Sequence, residues 1–366
     1  MAITEDKILD ALSNVIDPDL GKDLVTLNMI EDISIDGKNV SFTVNLTTPA
    51  CPMKAEIERA CINAVKHMVD PEAEVTPNMS SKVTQSQATK QEDATSVLRN
   101  VKNIIAVASG KGGVGKSTVA VNLAVALHKA GAKVGLVDTD IYGPSIPTMF
   151  DIKERPNIST QRKVIPLEKH GIKLMSMGFM VEADQAVVWR GPMVSSAVKQ
   201  FLGETDWGEL DYLIMDLPPG TGDIQLTIVQ TVPLTGAIVV STPQTVALDD
   251  ARKGVAMFEK VKVPVLGIIE NMAYFTPPEL PDNKYYIFGQ GGARNLAEKL
   301  QVPFLGEVPI EQSVREGGDE GLPIVLKDEQ SASAVAFRDI AEKSAQQISI
   351  RNAGMDPTEK IEILIK

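Results

Sequence analysis

"GKGGVGKS", residues 110–117, decides how the rest of this chain is read. It satisfies G-x-x-x-x-G-K-[ST], a loop whose glycines let the backbone curl until successive N–H groups point at phosphate oxygens. Such a loop needs a strand before it and a helix after it. "NIIAVAS" (103–109) precedes it as a short apolar run, and "KSTVAVNLAVALHKAG" (116–131) follows with apolar residues on a helical period and Gly131 placed to end the helix. The helix N-terminus adds a dipole that favours an anion. In this arrangement the backbone of Gly110, Lys111, Gly112, Gly113, Val114 and Gly115 forms the cradle. Lys116 reaches the terminal phosphates, Ser117 ligates magnesium and Thr118 comes close to the first phosphate. Lys111 is one basic residue more than the pattern requires.

Outward from the loop, short β-rich runs alternate with helical stretches: "KVGLVD" (133–138), "KLMSMG" (173–178), "DYLIMD" (211–216), "GAIVVST" (236–242), "VPVLGII" (263–269) and "VPFLGEV" (302–308). Each is almost continuously apolar, as befits strands covered on both faces. The fold class is α/β: a doubly wound, mainly parallel P-loop sheet. Ahead of it lies a small α+β domain over residues 1–77. It carries a helix at "EDKILDALSNVI" (5–16), a break at "DPDLG", two strand-like runs joined through "DGKN", and a second helix "KAEIERACINAVKHM" (54–68). Residues 78–98, rich in Ser, Thr, Gln and charge, read as a flexible linker. The large domain then spans 99–350, and 351–366 form a C-terminal tail whose "TEKIEILIK" is either a short strand or a frayed end.

Bulk properties narrow the function classes. A chain of 366 residues with 43% hydrophobic and 23% charged residues is neither disordered nor membranous, and its length suits two domains. The start "MAITEDKILD" has no basic segment followed by an apolar one, so a cytoplasmic location is expected. The net charge of -12 disfavours diffuse binding to nucleic acid or to an anionic membrane, and neither is expected as a partner. Two cysteines, Cys51 and Cys61, are too few for a disulfide framework.

Carboxylates at strand ends supply the remaining chemistry. Asp216 closes "DYLIMD" and suits a Walker B residue that holds magnesium directly or through water. The Pro/Gly loop "LPPGTGD" follows it at the edge of the sheet where α/β proteins place ligands, as a switch that senses the terminal phosphate. In "LVDTDIYGPS", Asp138 either takes a direct part at the site or only supports the magnesium ligands or caps its loop. Asp140 either orients the attacking water or is a solvated turn residue.

"KGGVGKS" resembles the deviant Walker A motif of the MinD/ParA/ArsA/nitrogenase-iron-protein class of P-loop ATPases. That resemblance implies a homodimer closing face to face over two ATP molecules, with Lys111 reaching the partner's phosphates as an arginine finger would. In this order, "GKGGVGKS", "DTDIYGPSIP", "WRGPM", "DLPPGTGD" and "IIENM" look like the Mrp/ApbC family of iron-sulfur cluster carrier ATPases, over about residues 100–345. "VIDPDLGKDLVTLNMI" and "LTTPACPMK" resemble the small iron-sulfur-assembly domain often fused ahead of them. The family implies ATP and Mg2+ as cofactors, a bound iron-sulfur cluster, and apoprotein acceptors as partners. By the wider class, Asn271 reads the adenine base.

One departure stands out. Family members bind their cluster through a C-x-x-C pair shortly after "ENM", and "ENMAYFTPPELPDNKYYIFGQGG" (270–292) has no cysteine. Cys51, beside Pro52 and ahead of a predicted helix, is the remaining candidate iron-sulfur ligand, with a packed turn residue as the other reading. Cys61 shares a helical face with Ile57, Val65 and Met68 and reads as core. His67, His128 and His170 are scattered and carry no site. Met175, Met177 and Met180 read as strand core. Arg190 either contacts a partner or phosphate, or forms a structural ion pair. Tyr285, Tyr286 and Phe288 read as cover for the region where relatives keep their cysteines.

The sequence therefore reads as a Mg-dependent ATPase whose dimerisation is switched by ATP and which transfers iron-sulfur clusters to apoproteins. A ParA/MinD-like positioning or scaffolding switch without a cargo is the main alternative. A small-molecule kinase is the other, and no acceptor pocket for it is visible in the sequence.

Overall fold

In the computed structural model, which describes residues 3–86, 97–141, 143–179 and 191–354, the chain divides into two units. Met180 and Arg190 lie outside the described residues, as do 87–96 of the expected linker and 355–366 of the expected tail.

The first unit comprises residues 3–84 together with 345–354. It contains α1 (Glu5–Leu12), β1 (Ile30–Asp36), β2 (Asn39–Leu46), α2 (Lys54–Met68) and β3 (Glu74–Ser81). The sheet order is β1-β2-β3, with β1 antiparallel and β2 parallel to its successor. The turn between β1 and β2 has Gly37 at φ 63°, a left-handed conformation that glycine adopts without a Cβ penalty. On α2, Ile57, Cys61 and Val65 recur every four residues, so one stripe of the helix enters the core with Phe42 and Val44 of β2.

Two boundaries in this unit differ from the sequence reading. Helix α1 stops at Leu12 because Ser13 Oγ and Asn14 Nδ2 both donate to Asp10 O, at 2.7 and 2.9 Å, and so compete with the helical ladder. Residues 78–81, assigned to the linker, complete β3. That strand buries Pro77 and half-buries Val75 and Met79 while its polar residues face water, which disguised it as linker.

The second unit covers residues 85–344. Its elements begin with β4 (Val101–Ala108), α3 (Lys116–Lys129), β5 (Val134–Asp138), α4 (Ile146–Met149), β6 (Leu167–Lys169), β7 (Ile172–Ser176), α5 (Gly191–Glu204) and β8 (Leu210–Asp216). They continue with α6 (Asp223–Thr231), β9 (Gly236–Ser241), α7 (Thr245–Lys260), β10 (Val265–Phe275), α8 (Gly292–Leu300), β11 (Phe304–Ile310), α9 (Gln312–Asp319), α10 (Ile324–Lys327) and α11 (Ala332–Gly354). Helix α11 starts in this unit and ends in the first, and it takes in residues 351–354 of the expected tail.

The sheet runs β11-β10-β9-β4-β8-β5-β7-β6, parallel throughout except for β6, which pairs antiparallel with β7. All seven apolar runs read from the sequence are strands of this sheet. Strand β6 has three residues, none of them buried, and was invisible to a reading based on apolar runs. Strand β4 sits between β8 and β9 and is buried along nearly its whole length, so the loop that leaves it is anchored in the interior of the sheet. Met175 and Met177 are core, as their apolar setting implied. No helix among the described residues is long and apolar enough to cross a membrane.

Candidate nucleotide site

Parallel strands end at one edge of the sheet, and that edge gathers the residues singled out from the sequence. The loop leaving β4 turns at Gly113 (φ 82°) and Gly115 (φ 80°) before α3 begins at Lys116. A Cβ on Gly115 would lie 2.1 Å from Asn271 Nδ2, so this position must be glycine on two counts, its left-handed backbone and the close approach of β10. Gly110 is fixed differently. A Cβ there would lie 2.2 Å from the backbone carbon of Asp250, so α7 packs directly on the start of the loop. Ser109 Oγ donates to Lys111 O at 2.9 Å and closes that start.

Lys116 and Asp216 meet in the interior. Nζ of Lys116 lies 2.5 Å from Asp216 Oδ1 and 3.2 Å from Ser117 Oγ, and both charged side chains are buried. Burial raises the Asp216 carboxyl, and the Lys116 ammonium pulls it back down. Asp216 Oδ2 is buried with no hydrogen-bond partner. A buried carboxylate oxygen without a donor is costly, and it is the kind of ligand a hard cation takes.

The two aspartates ending β5 and β8 are register partners, yet they serve different ends. Asp138 Oδ1 accepts Asp140 N–H at 3.0 Å; Oδ2 accepts Ser145 N–H at 2.9 Å, Ile146 N–H at 3.2 Å and Ser176 Oγ–H at 3.2 Å. Asp138 thus organises the loop after β5, the capping alternative left open by the sequence. Burial, then the negative charge of Asp216, pushes its carboxyl up to about 7. Asp140 is half-exposed, and its Oδ1 accepts Gly143 N–H at 3.2 Å. The loop after β8 is tied to the phosphate loop by Gly220 N–H donating to Ser109 O at 2.9 Å.

Asn271 packs against the loop. Its Nδ2 donates to Val114 O at 2.8 Å, and the residue is 6% exposed. The side chain expected to read a base therefore also braces the phosphate loop. The neighbouring Glu270 was missed by the sequence reading although it stands in the quoted "IIENM". It is buried, its carboxyl is raised by that burial, and its Oε2 accepts Ala293 N–H at 2.5 Å near the start of α8. Its signal was a carboxylate inside an otherwise apolar run.

Lys111 is half-exposed at the rim, and its ammonium has no ion-pair partner among the described residues. Thr118 follows Ser117 in the first turn of α3. The segment without cysteines is partly outward-facing: Tyr285 pairs with Phe275 through backbone bonds of 2.8 and 2.9 Å, Tyr286 packs edge-on against Tyr274, and both remain exposed.

Cys51 is half-buried in the turn ahead of α2; the helix itself begins at Lys54, so Cys51 stands three residues before it rather than at its first position. Cys61 is fully buried, and burial pushes its thiol up to about 12. Among the described residues no group of three or more His, Cys, Asp or Glu side chains is arranged to hold a metal ion.

A parallel sheet whose central strand delivers a glycine loop, a buried lysine paired with a strand-end aspartate, and a second lysine at the rim define a P-loop NTPase of the MinD/ParA type. Comparison with known proteins takes this further. Residues 100–345 match the family described as NUBPL iron-transfer P-loop NTPase, and residues 5–76 match iron-sulfur cluster assembly proteins. The chain belongs to that iron-transfer P-loop NTPase family, the Mrp/ApbC family its motifs resemble.

Among its relatives, the iron-sulfur cluster carrier protein of Synechocystis sp. is 51% identical over 95% of this chain and 99% of its own length. The iron-sulfur protein required for NADH dehydrogenase of Arabidopsis thaliana mitochondria is 52% identical over 67% of this chain and 78% of its own. Of solved structures, a nucleotide-binding protein from Archaeoglobus fulgidus in complex with ADP is 40% identical, with a TM-score of 0.57 over 66% of this chain and 93% of that one. The cell division ATPase MinD of Pyrococcus furiosus, 23% identical with a TM-score of 0.50 over 66% of this chain and 97% of its own, shares the fold.

Proposed function

We propose that this protein is a cytoplasmic, Mg-dependent ATPase that dimerises with ATP and passes iron-sulfur clusters to apoproteins. The observation that carries the nucleotide half is the buried Lys116–Asp216 pair with its unpartnered Asp216 Oδ2. ATP with magnesium offers each member a better partner: phosphate for Lys116, the cation for Asp216 and Ser117. Bound there, magnesium neutralises charge on the transferring phosphoryl group. The N–H groups from Gly110 to Thr118 hold the phosphates, and Asn271 brings the loop and the adenine site under one residue. Asp140, half-exposed at the rim, orients the attacking water. Lys111 points its free charge across to a second copy, so each site is complete only in the dimer.

The cargo half rests on the relatives, which are named as iron-sulfur carrier and transfer proteins, and on Cys51. Two half-buried Cys51 thiolates, one from each copy, hold the cluster together with thiols from the client or a small molecule. Cys61 is kept protonated by its burial and takes no part. The names of the relatives favour a cargo over a positioning switch without one. Anaerobic reconstitution with iron and sulfide tests this reading: wild type develops a cluster absorbance that Cys51→Ala lacks. Colourless spectra from both would contradict it.

A further inference from the structure

Consecutive residues of β10 reach in opposite directions, because side chains alternate across a strand. Asn271 meets the phosphate loop: its Nδ2 donates to Val114 O at 2.8 Å, and a Cβ on Gly115 would lie 2.1 Å from that same nitrogen. Glu270 meets α8. Its Oε2 accepts Ala293 N–H at 2.5 Å, and the backbone of Gly291 donates to the carboxylate as well. Glu270 is 1% exposed and makes no ion pair among the described residues; nearby Arg294 pairs with Glu307 instead, at 2.9 Å.

The next residue bends the strand. Met272 has φ 56°, a left-handed backbone that a long side chain rarely takes, and strain of this kind gathers at ligand clamps and switches. Between Asn271 and Phe275 the pairing with β11 slips, so that this stretch of β10 lies against the shorter run from Val308 to Ile310. From the bend the chain enters the segment 273–291. Phe275 and Tyr285 close its hairpin through their backbones, and Leu280, Tyr285, Tyr286 and Ile287 stand exposed on it.

Both ends of this segment are tied to the phosphate loop. The near end leaves Asn271 and Met272, whose Cε would lie 3.7 Å from a Cβ on Gly115. The far end is caught between Glu270 and the chain entering α7: a Cβ on Gly292 would lie 2.5 Å from Pro243 O and 2.7 Å from Leu248 Cδ1. Further along α7, the backbone of Asp250 packs on Gly110 at the start of the loop. Loop, β10, α8 and α7 thus form a closed circuit, and Glu270 supplies a polar link between β10 and α8.

We infer that Glu270 is a positioning residue: it holds the start of α8 to β10, so that nucleotide binding at the phosphate loop is felt in the segment 273–291. This role rests on the nucleotide reading proposed above. Asn271 carries one amide for which two partners compete, the Val114 carbonyl and the base. A base that draws on the amide shifts the end of the strand, and the hydrogen bonds of Glu270 pass that shift to the far end of the segment. The exposed Tyr285, Tyr286 and Ile287 are then presented differently with and without nucleotide. A carboxylate that merely caps α8 would stabilise the helix and carry no such response.

Amide hydrogen exchange over residues 273–291, read in the full chain with and without ADP, separates the two roles, with calorimetry reporting ADP binding. In wild type, ADP should slow exchange there at least about fivefold, the lower end of coupling between two sites. Glu270→Ala should still bind ADP but lose that change, and Glu270→Gln, whose amide oxygen accepts the same N–H groups, should restore it. Glu270→Asp, one methylene too short to reach Ala293, takes the place of the alanine variant if that one fails to fold. ADP bound to wild type with no change in the segment would overturn the inference and leave the nucleotide reading standing. So would a change in Glu270→Ala or Glu270→Asp as large as in wild type. A wild type that binds no ADP would bring down both.

Discussion

Lys116 Nζ lies 2.5 Å from Asp216 Oδ1, so the two groups proposed above to hold phosphate and cation neutralise each other in this structure. The pair is buried, and removing one member leaves an uncompensated charge, which typically costs about 3–5 kcal/mol. Lys116→Ala should abolish ATP hydrolysis and also destabilise the nucleotide-free protein by about that much. An unpaired Asp216 would hold its proton more tightly folded than unfolded, so the variant loses stability as pH rises. Urea unfolding at pH 5 and pH 8 checks this: the deficit relative to wild type should be smaller at pH 5. A variant as stable as wild type at both values would show that the pair carries no such charge.

Gly115 and Asn271 lock the loop from below. Gly115→Ala forces a Cβ into a left-handed position and against Asn271 Nδ2, displacing the bond to Val114 O. Calorimetry should show ADP affinity reduced by more than about tenfold, since strain and a lost brace each cost on the order of 1 kcal/mol. Asn271→Ala removes the brace alone and should lose less than Gly115→Ala. Wild-type affinity in Gly115→Ala would mean that the loop tolerates the shift.

On the proposed reading the two lysines of the loop serve different subunits. Lys111→Gln should bind ADP normally, because the group lies at the rim and outside the intrasubunit cradle. It should fail to dimerise with ATP, and turnover should fall about 100-fold or more, the range of a lost trans-acting cation. Analytical ultracentrifugation with ATP reads this directly, and an unchanged dimer that hydrolyses ATP normally would contradict it.

The two cysteines should differ under a thiol reagent. Native protein should lose Cys51 alone, and Cys61 should react only on unfolding. The raised Cys61 value has a further consequence. A thiol at about 12 in the folded protein and near 9 in the unfolded chain binds its proton more tightly when folded. Its contribution is intact below about pH 9 and is lost as pH rises from 9 toward 12. Cys61→Ala should flatten that part of the stability profile; an identical slope in wild type and variant would refute the assignment.

What the sequence revealed follows from how each element is buried. The seven inner runs were legible because strands covered on both faces are continuously apolar, and the phosphate loop because Gly110, Gly113 and Gly115 stand where a side chain would clash or strain the backbone. β3 and β6 escaped because strands at the edge of a sheet expose polar residues. The site was legible as a set of residues but not as a set of contacts. Nothing in the sequence separates Asp138, consumed by three backbone N–H groups and a serine, from Asp216, which keeps an oxygen free. Nor does it show that Asn271 braces Val114 across 157 residues of chain.

The central claim is that nucleotide state governs the handover of a cluster. Its most direct measurement loads the protein anaerobically with a cluster, adds an apo-ferredoxin-type acceptor, and follows the acceptor's spectrum with and without ATP and magnesium. Wild type should transfer the cluster at a rate that depends on ATP, Lys116→Ala at a rate that ignores it, and Cys51→Ala should have no cluster to give. Transfer at the same rate in wild type whether or not ATP is present would contradict the account.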